Sequence, residues 1–309
     1  MNLKPINQIE LFGLGNYLLE FVSLYENEKL PNKILLSGKK GLGKSTLAYH
    51  LINYVLSKDE DDNYDLKKFR INTKNKSYKL SLNQTNPNFI LIDLLNEKQS
   101  IDISQIRDLS TKLNKSSFNN KPRFVMIDNV EFLNNNSTNA LLKILEEPPL
   151  NTFFILINNN RNIFSTLSSR CLNFKIFLTY DESKNVISKI LNDDINKYLN
   201  SDLINYYFTP GNIYNLINSV SLNEYDLKQY DLKKLLNLII KENLYKKDMT
   251  IKNMVFDFFE FYFRKYNLLK SPQLFDYYSY FLKRISDTKK FNLDEESLFM
   301  EFENKILNG

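Results

Sequence analysis

The 309-residue sequence contains a single cysteine, Cys171, a single histidine, His50, and no tryptophan. One thiol excludes a disulfide within the chain, and one cysteine with one histidine cannot build a zinc cluster. A Ser-His-Asp or Cys-His mechanism would have to use His50 or Cys171. His50 stands beside Leu51 in a helical pattern, which makes it a helix-face residue rather than a catalyst. Long apolar runs are missing as well, and none approaches the ~18 residues of a membrane span. Glu10, Glu20 and Glu26 interrupt any basic-then-apolar export signal near the start. A cytoplasmic protein without membrane association is expected.

What is present is apolar enough for real cores, with 43% hydrophobic residues and plentiful Phe and Tyr. The length suggests two or three domains. A net charge of +5 permits nucleic-acid contact without demanding it. Asn, Lys and Ile recur throughout, which reads as AT-rich coding rather than as function.

The stretch from Lys33 to Thr46 organises the rest. An apolar run, Ile34-Leu35-Leu36, leads into Gly38-x-x-Gly41-x-Gly43-Lys44-Ser45, and a helical pattern follows to Leu56. That is a phosphate-binding P-loop between a strand and a helix. Gly38, Gly41 and Gly43 let the backbone curl so that N–H groups point at phosphate oxygens. In this reading Lys44 reaches the β- and γ-phosphates, Ser45 ligates Mg²⁺ and Thr46 lies near the α-phosphate. The helix dipole adds positive potential at the same place.

Further along, Asn88–Asp93 reads as a buried strand, Ile103–Leu113 as an amphipathic helix and Arg123–Asp128 as a strand ending in a carboxylate. A helix over about Ser137–Leu145 stops at Pro148-Pro149. Strands over Thr152–Ile157 and Leu172–Phe177 flank a short helix near Ile163–Ser168. The segment Ser57–Leu82, acidic and then Lys-rich, reads as a solvated loop or hairpin. Apolar strands alternating with helices imply an α/β fold with a parallel sheet covered on both faces. Ligands are then expected at the carboxyl ends of the strands, where the P-loop, Asp128 and Asn158 converge. After Phe177 strand signals nearly vanish. A capping box, Thr179–Glu182, opens a helix, and the aromatic run Met254–Tyr266 reads as packing within a helical bundle.

Three stretches carry a family resemblance. They are the P-loop, then Phe124–Glu131 with Asn139-Ala140-Leu141-Leu142-Lys143-Ile144-Leu145-Glu146-Glu147-Pro148-Pro149, and then Phe153–Ile157 through Ser169-Arg170-Cys171. Together they resemble the AAA+ clamp-loader family of bacterial DNA polymerase III. Asn86-Pro87-Asn88-Phe89, with Ile101–Leu109 behind it, is similar to a segment of the family's delta-prime branch. The resemblance covers roughly residues 5–220. It implies an AAA+ P-loop domain over 1–177, a helical lid over 178–221 and an all-α collar over 222–309. It implies ATP or ADP with Mg²⁺, held by the P-loop residues with Asp128 and Asn158, and Mg²⁺ on Ser45 and Asp128. It also implies gamma/tau-type and delta-type subunits as partners, with the sliding clamp and primed DNA met through the assembly. Carried over, Arg170 is an arginine finger acting on a neighbour's nucleotide, and Cys171 is a packing residue.

The departures from the family pattern point to a subunit that fires poorly. Active relatives follow the strand-end Asp with a Glu that orients the attacking water, whereas Asn129 stands here, and an amide accepts no proton. Glu131, three residues on, is not expected to substitute. Asn212 occupies the lid position where active relatives carry an arginine. The four-cysteine zinc module expected before Asn86 is absent. These features favour a delta-prime-like stator over a hydrolysing gamma/tau-type ATPase. A P-loop small-molecule phosphotransferase is the alternative from another class.

Overall fold

Three apolar runs, Ile34–Leu36, Phe124–Ile127 and Phe154–Ile157, are buried on both sides and form the middle of a sheet. The computed structural model describes residues 3–95, 98, 100–115, 119–204, 208–221, 225–247, 249–265, 272–291 and 293–308. The chain divides into two compact units, 1–182 and 183–309.

The first unit runs α1 (Gly15–Glu26), β1 (Lys33–Ser37), α2 (Lys44–Ser57), α3 (Lys76–Leu82), β2 (Phe89–Ile92), α4 (Ile103–Leu113), β3 (Arg123–Ile127), α5 (Asn135–Glu146), β4 (Thr152–Asn158), α6 (Ser165–Ser168) and β5 (Leu172–Lys175). The strands are all parallel, in the order β2-β3-β4-β1-β5. Alternation along each strand sorts its side chains onto two faces. Leu35, Val125, Ile127, Phe154 and Leu156 meet Leu109 and Leu113 of α4 and Leu141 and Leu145 of α5. Ile34, Leu36 and Ile155 face the other way, toward Phe21 of α1 and Leu47 and Leu51 of α2. The parallel sheet is thus covered on both faces, as its sequence requires.

Register places the strand ends. Ser37 pairs with Asn158, and Ile127 pairs with Leu156. Because β4 lies between β1 and β3, the P-loop, Asp128 and the end of β4 are neighbours. Gly38 is needed where the segment after β5 crosses the start of the P-loop. A Cβ there would lie 2.4 Å from the Ile176 carbonyl oxygen, and its φ of +155° also disfavours other residues.

Three local expectations are corrected. β2 is an edge strand with Leu91 38% exposed, so the run over 89–92 is half-buried rather than buried. The segment 57–82, expected as a solvated loop or hairpin, is a folded insertion: Asp65 and Arg70 do pair antiparallel as in a tight hairpin, but the segment is not merely solvated. Tyr64 and Ile71 are buried, and α3 closes the segment. The Glu60 carboxylate accepts from Lys76 N, Ser77 N and Ser77 Oγ, at 2.7, 3.1 and 2.5 Å. A carboxylate on the first turn of a helix satisfies orphan N–H groups and complements the dipole. The Asn75 side chain adds a cap to Tyr78 N. Helix α5 also begins earlier than its apolar pattern suggests, because the Asn134 side chain accepts from Ser137 N at 2.9 Å and caps it. Asn134→Ala is expected to lower stability by about 1 kcal/mol, read from urea unfolding midpoints. An unchanged midpoint would show that the cap contributes nothing.

The helix α7 (Tyr180–Leu191) leads from the first unit into the second. Its capping box is formed, with Thr179 N donating to Glu182 Oε2 at 2.8 Å and Glu182 N to Thr179 Oγ1 at 3.3 Å. The second unit continues through α8 (Ser201–Ile204), α9 (Pro210–Ser221), α10 (Leu232–Lys241), α11 (Leu244–Lys247), α12 (Met249–Lys265), α13 (Pro272–Phe291) and α14 (Glu295–Phe302), with no strand among its described residues. Leu222 and Gly309, the ends of the expected collar, lie outside the described residues, as does Tyr266. The aromatic run packs inward. Phe258, Phe259 and Phe263 of α12, Phe281 of α13 and Phe299 and Phe302 of α14 are fully buried, and Phe259 stacks on Phe302 with ring centroids 3.6 Å apart. No helix of the described residues is long and apolar enough to cross a membrane.

Candidate nucleotide site

The P-loop backbone takes the shape its glycines permit. Gly41 and Gly43 have φ of 86° and 87°, and Gly43 caps α2 in the left-handed region. The first residues of α2 are Lys44, Ser45 and Thr46. Lys44 is buried, and its ammonium donates to Gly38 O at 2.9 Å, Lys39 O at 2.8 Å and Asn159 Oδ1 at 3.0 Å. Burial lowers its pKa to about 8, while Asp128 and Glu131 resist that shift. It is mostly charged at neutral pH.

The Ser45 hydroxyl donates to Asp128 Oδ2 at 2.6 Å. Burial lifts the Asp128 carboxyl to about 6, and the Ser45 bond opposes this rise. A serine oxygen and a carboxylate oxygen held side by side beside a P-loop are hard donors suited to Mg²⁺. The residues present therefore fit a Mg²⁺–nucleotide, with Ser45 and Asp128 as the metal's protein neighbours and Lys44 as the phosphate's.

The end of β4 corrects one assignment. The Asn158 side chain is taken up by a local turn, with Nδ2 donating to Arg161 O at 3.0 Å and Oδ1 accepting from Arg161 N at 3.1 Å. The next residue, Asn159, reaches Lys44. Alternation explains the shift, since Asn158 still belongs to the strand and is buried, whereas Asn159 is free of the ladder.

Three further residues meet at the site: Asn129 and Glu131, which follow the strand-end Asp128, and Asp93, which carried no motif in the sequence. The Glu131 carboxylate accepts from Asn159 N at 3.3 Å. Asn129, at φ 57°, bridges Asp93 and Asn159: its Nδ2 donates to Asp93 Oδ1 at 2.7 Å, and its Oδ1 accepts from Asn159 Nδ2 at 2.9 Å. Asp93, just past β2, is held in turn by Gln105, whose Nε2 donates to Asp93 O at 2.9 Å. Asparagine tolerates the left-handed backbone at 129 better than most residues.

Arg170 makes its hydrogen bonds elsewhere. It follows α6, and its guanidinium donates to Thr166 O and to Glu146 Oε1, both at 2.8 Å. The ion pair is open to solvent, with the arginine and glutamate side chains 35% and 53% exposed. Cys171 packs against the core under α5, and burial raises its thiol to about 11. A thiol so rarely ionised is a packing group, not a nucleophile. Asn212 lies on α9 in the second unit, where its N–H donates to Thr209 Oγ1 at 3.4 Å.

Residues 15–178 match the family model described as DNA polymerase III, delta subunit. Over 303 residues the chain is 28% identical to the DNA polymerase III subunit delta' of Buchnera aphidicola subsp. Acyrthosiphon pisum, covering 93% of this chain and 86% of that protein. It is 30% identical over 174 residues to the DNA polymerase III subunit gamma of Buchnera aphidicola subsp. Schizaphis graminum, covering 55% of this chain and 45% of that one. Among solved structures, a DNA polymerase III gamma subunit-related protein of Thermotoga maritima superposes with a TM-score of 0.46 at 18% identity, over 91% of this chain and 96% of that one.

Proposed function

The chain belongs to the DNA polymerase III delta-subunit family of clamp-loader proteins, and on that premise we propose that it is a delta-prime-like stator. In this reading it assembles with gamma/tau-type and delta-type subunits in the bacterial cytoplasm and helps place the sliding clamp on primed DNA. Its P-loop holds ATP or ADP with Mg²⁺ and turns it over poorly. Arg170 serves a neighbouring subunit's nucleotide rather than its own. No zinc is required, because the insertion over 57–82 is organised by Glu60 and Asn75 instead.

The observation that carries the reading is Asn129. In the active members of the family that the sequence resembles, a carboxylate next to the strand-end Asp orients and deprotonates the attacking water. Here the side chain is an amide, and both of its ends are committed, to Asp93 and to Asn159. A P-loop phosphotransferase gains no support from the matched relatives, which are DNA polymerase III subunits.

The test is phosphate release by the isolated chain with ATP and Mg²⁺. It is expected to stay at the level of a Lys44→Ala control, and to appear only when gamma-type and delta-type subunits are added. Sustained turnover by the chain alone, abolished by Lys44→Ala, would return the protein to the hydrolysing gamma/tau class.

A further inference from the structure

Asp93, Asn129, Asn159 and Lys44 form a continuous chain of side-chain hydrogen bonds of 2.7, 2.9 and 3.0 Å from the end of β2 to the P-loop. Its direction is fixed by its ends. An ammonium can only donate and an ionised carboxylate can only accept. The two amides between them therefore have one arrangement that satisfies every link. Asn159 must turn its oxygen to Lys44 and its NH₂ to Asn129, and Asn129 must turn its NH₂ to Asp93. Leu94 N, 2.7 Å from the same Asp93 oxygen, and Gln105, bonded to the Asp93 carbonyl, hold the anchor in place.

This order has a consequence for ligand choice. A terminal phosphate offers only acceptor oxygens, and so does the face that Asn159 turns toward Lys44. The NH₂ that could have donated to a γ-phosphate is turned toward Asn129 instead. We propose that Asp93 is a specificity-determining residue acting through Asn129 and Asn159: it holds the Asn159 donor away from the phosphate position and leaves the site unable to tell ATP from ADP. The inference rests on the nucleotide-holding reading above and adds that the held nucleotide's state goes unread. A stator that is blind to its own nucleotide would not change shape as its neighbours fire.

The experiment is a titration of the chain with fluorescent ATP and ADP analogues in Mg²⁺, for the wild type, Asp93→Ala and Asn129→Gly. Glycine keeps the positive φ at 129 while removing the amide. The wild type is expected to bind both nucleotides within about threefold of each other. Asn129→Gly removes the acceptor of the Asn159 donor, and Asp93→Ala lets the Asn129 amide turn over so that Asn159 can reverse; each is expected to favour ATP by about tenfold, the scale of one hydrogen bond to a charged group. The ratio of the two affinities is the readout, because a merely structural lesion weakens both together. Thermal unfolding identifies folded variants, and the two substitutions cut the chain at different links, so loss of one leaves the other. If the wild type binds neither nucleotide, the nucleotide-holding reading falls and this inference with it. If it binds both but already prefers ATP tenfold, or if the folded variants keep the wild-type ratio, the relay does not set specificity and only this inference is overturned.

Discussion

Replacing Arg170 with alanine is expected to cut the clamp- and DNA-stimulated ATPase of a reconstituted loader by about 10³-fold, the scale of an arginine finger supplied in trans. The same change should leave this subunit's own fold nearly untouched. Arg170 is paired with Glu146 at 2.8 Å, but both side chains are substantially exposed. Such a pair contributes about 0–1 kcal/mol. The weakness of that pair is what makes a finger feasible. A triphosphate on a neighbouring subunit carries more charge than one carboxylate and offers the planar fork two oxygens at once. Exchange of Glu146 for phosphate therefore costs little. Arg170→Lys should lose most of the same rate, because a point charge on a flexible stem cannot reproduce the fork. Steady-state ATPase of the mixture decides the matter, with urea unfolding of the isolated variant as the control. An unchanged rate in the Arg170→Ala mixture would leave the Glu146 pair as the residue's whole role.

Most of the first unit was legible because its periodicities are long and unambiguous. Apolar runs over 34–36, 124–127 and 154–157 have little choice but to be central parallel strands, and proline or glycine punctuates their ends. The amphipathic pattern over 103–113 is just as direct. What escaped was decided by tertiary contact. Helix α3 has seven residues, too few for a 3.6-residue period to stand out, and it exists because Glu60 and Asn75 satisfy its first turn. The apolar run over 89–92 is as hydrophobic as its neighbours. Only strand order puts it at an edge, and strand order is not written in any one segment.

The site divides along a similar line. The P-loop, Lys44, Ser45 and Asp128 follow from spacing, because close backbone approach to phosphate constrains residue type at each step. Asn129 was visible as a departure from the family pattern, yet its partners were not. Asparagine is so frequent in this chain that Asn159 stood in a run of three, Asn158-Asn159-Asn160, with no signal to choose among them. The strand ladder makes the choice, by holding Asn158 and releasing Asn159. Asp93 was read only as the last residue of a strand. Its importance depends on β2 lying beside β3, which brings a carboxylate within 2.7 Å of the Asn129 amide.

The single histidine offers the other large effect, on stability rather than rate. His50, on α2, is fully buried; its Nδ1 lies 2.7 Å from the Tyr64 hydroxyl and its Nε2 3.0 Å from Gln8 O. A carbonyl can only accept, so Nε2 carries the proton and Nδ1 accepts from the tyrosine. That arrangement uses the neutral ring. Protonating Nδ1 would oppose the Tyr64 donor and place a charge in the core, and burial accordingly pushes the pKa down to about 4. The unfolded chain takes up this proton near pH 6.5. Stability from His50 is therefore complete above pH 6.5, drains away as pH falls and is exhausted near pH 4, a loss of about 3 kcal/mol. Asp128 works in the opposite sense. Its folded pKa of about 6 lies above that of a free carboxyl, so the folded state gains stability over part of the same window. The net pH profile of the wild type can thus be shallow, and the histidine has to be isolated. The difference in unfolding free energy between wild type and His50→Gln should shrink by about 3 kcal/mol from pH 7 to pH 4. NMR needs no assignment for a lone imidazole, and its ring shifts should move only below about pH 5. A midpoint near 6.5 would mean that the ring is solvated and that the Gln8–His50–Tyr64 link does not tie the insertion and the N-terminal segment to the P-loop helix.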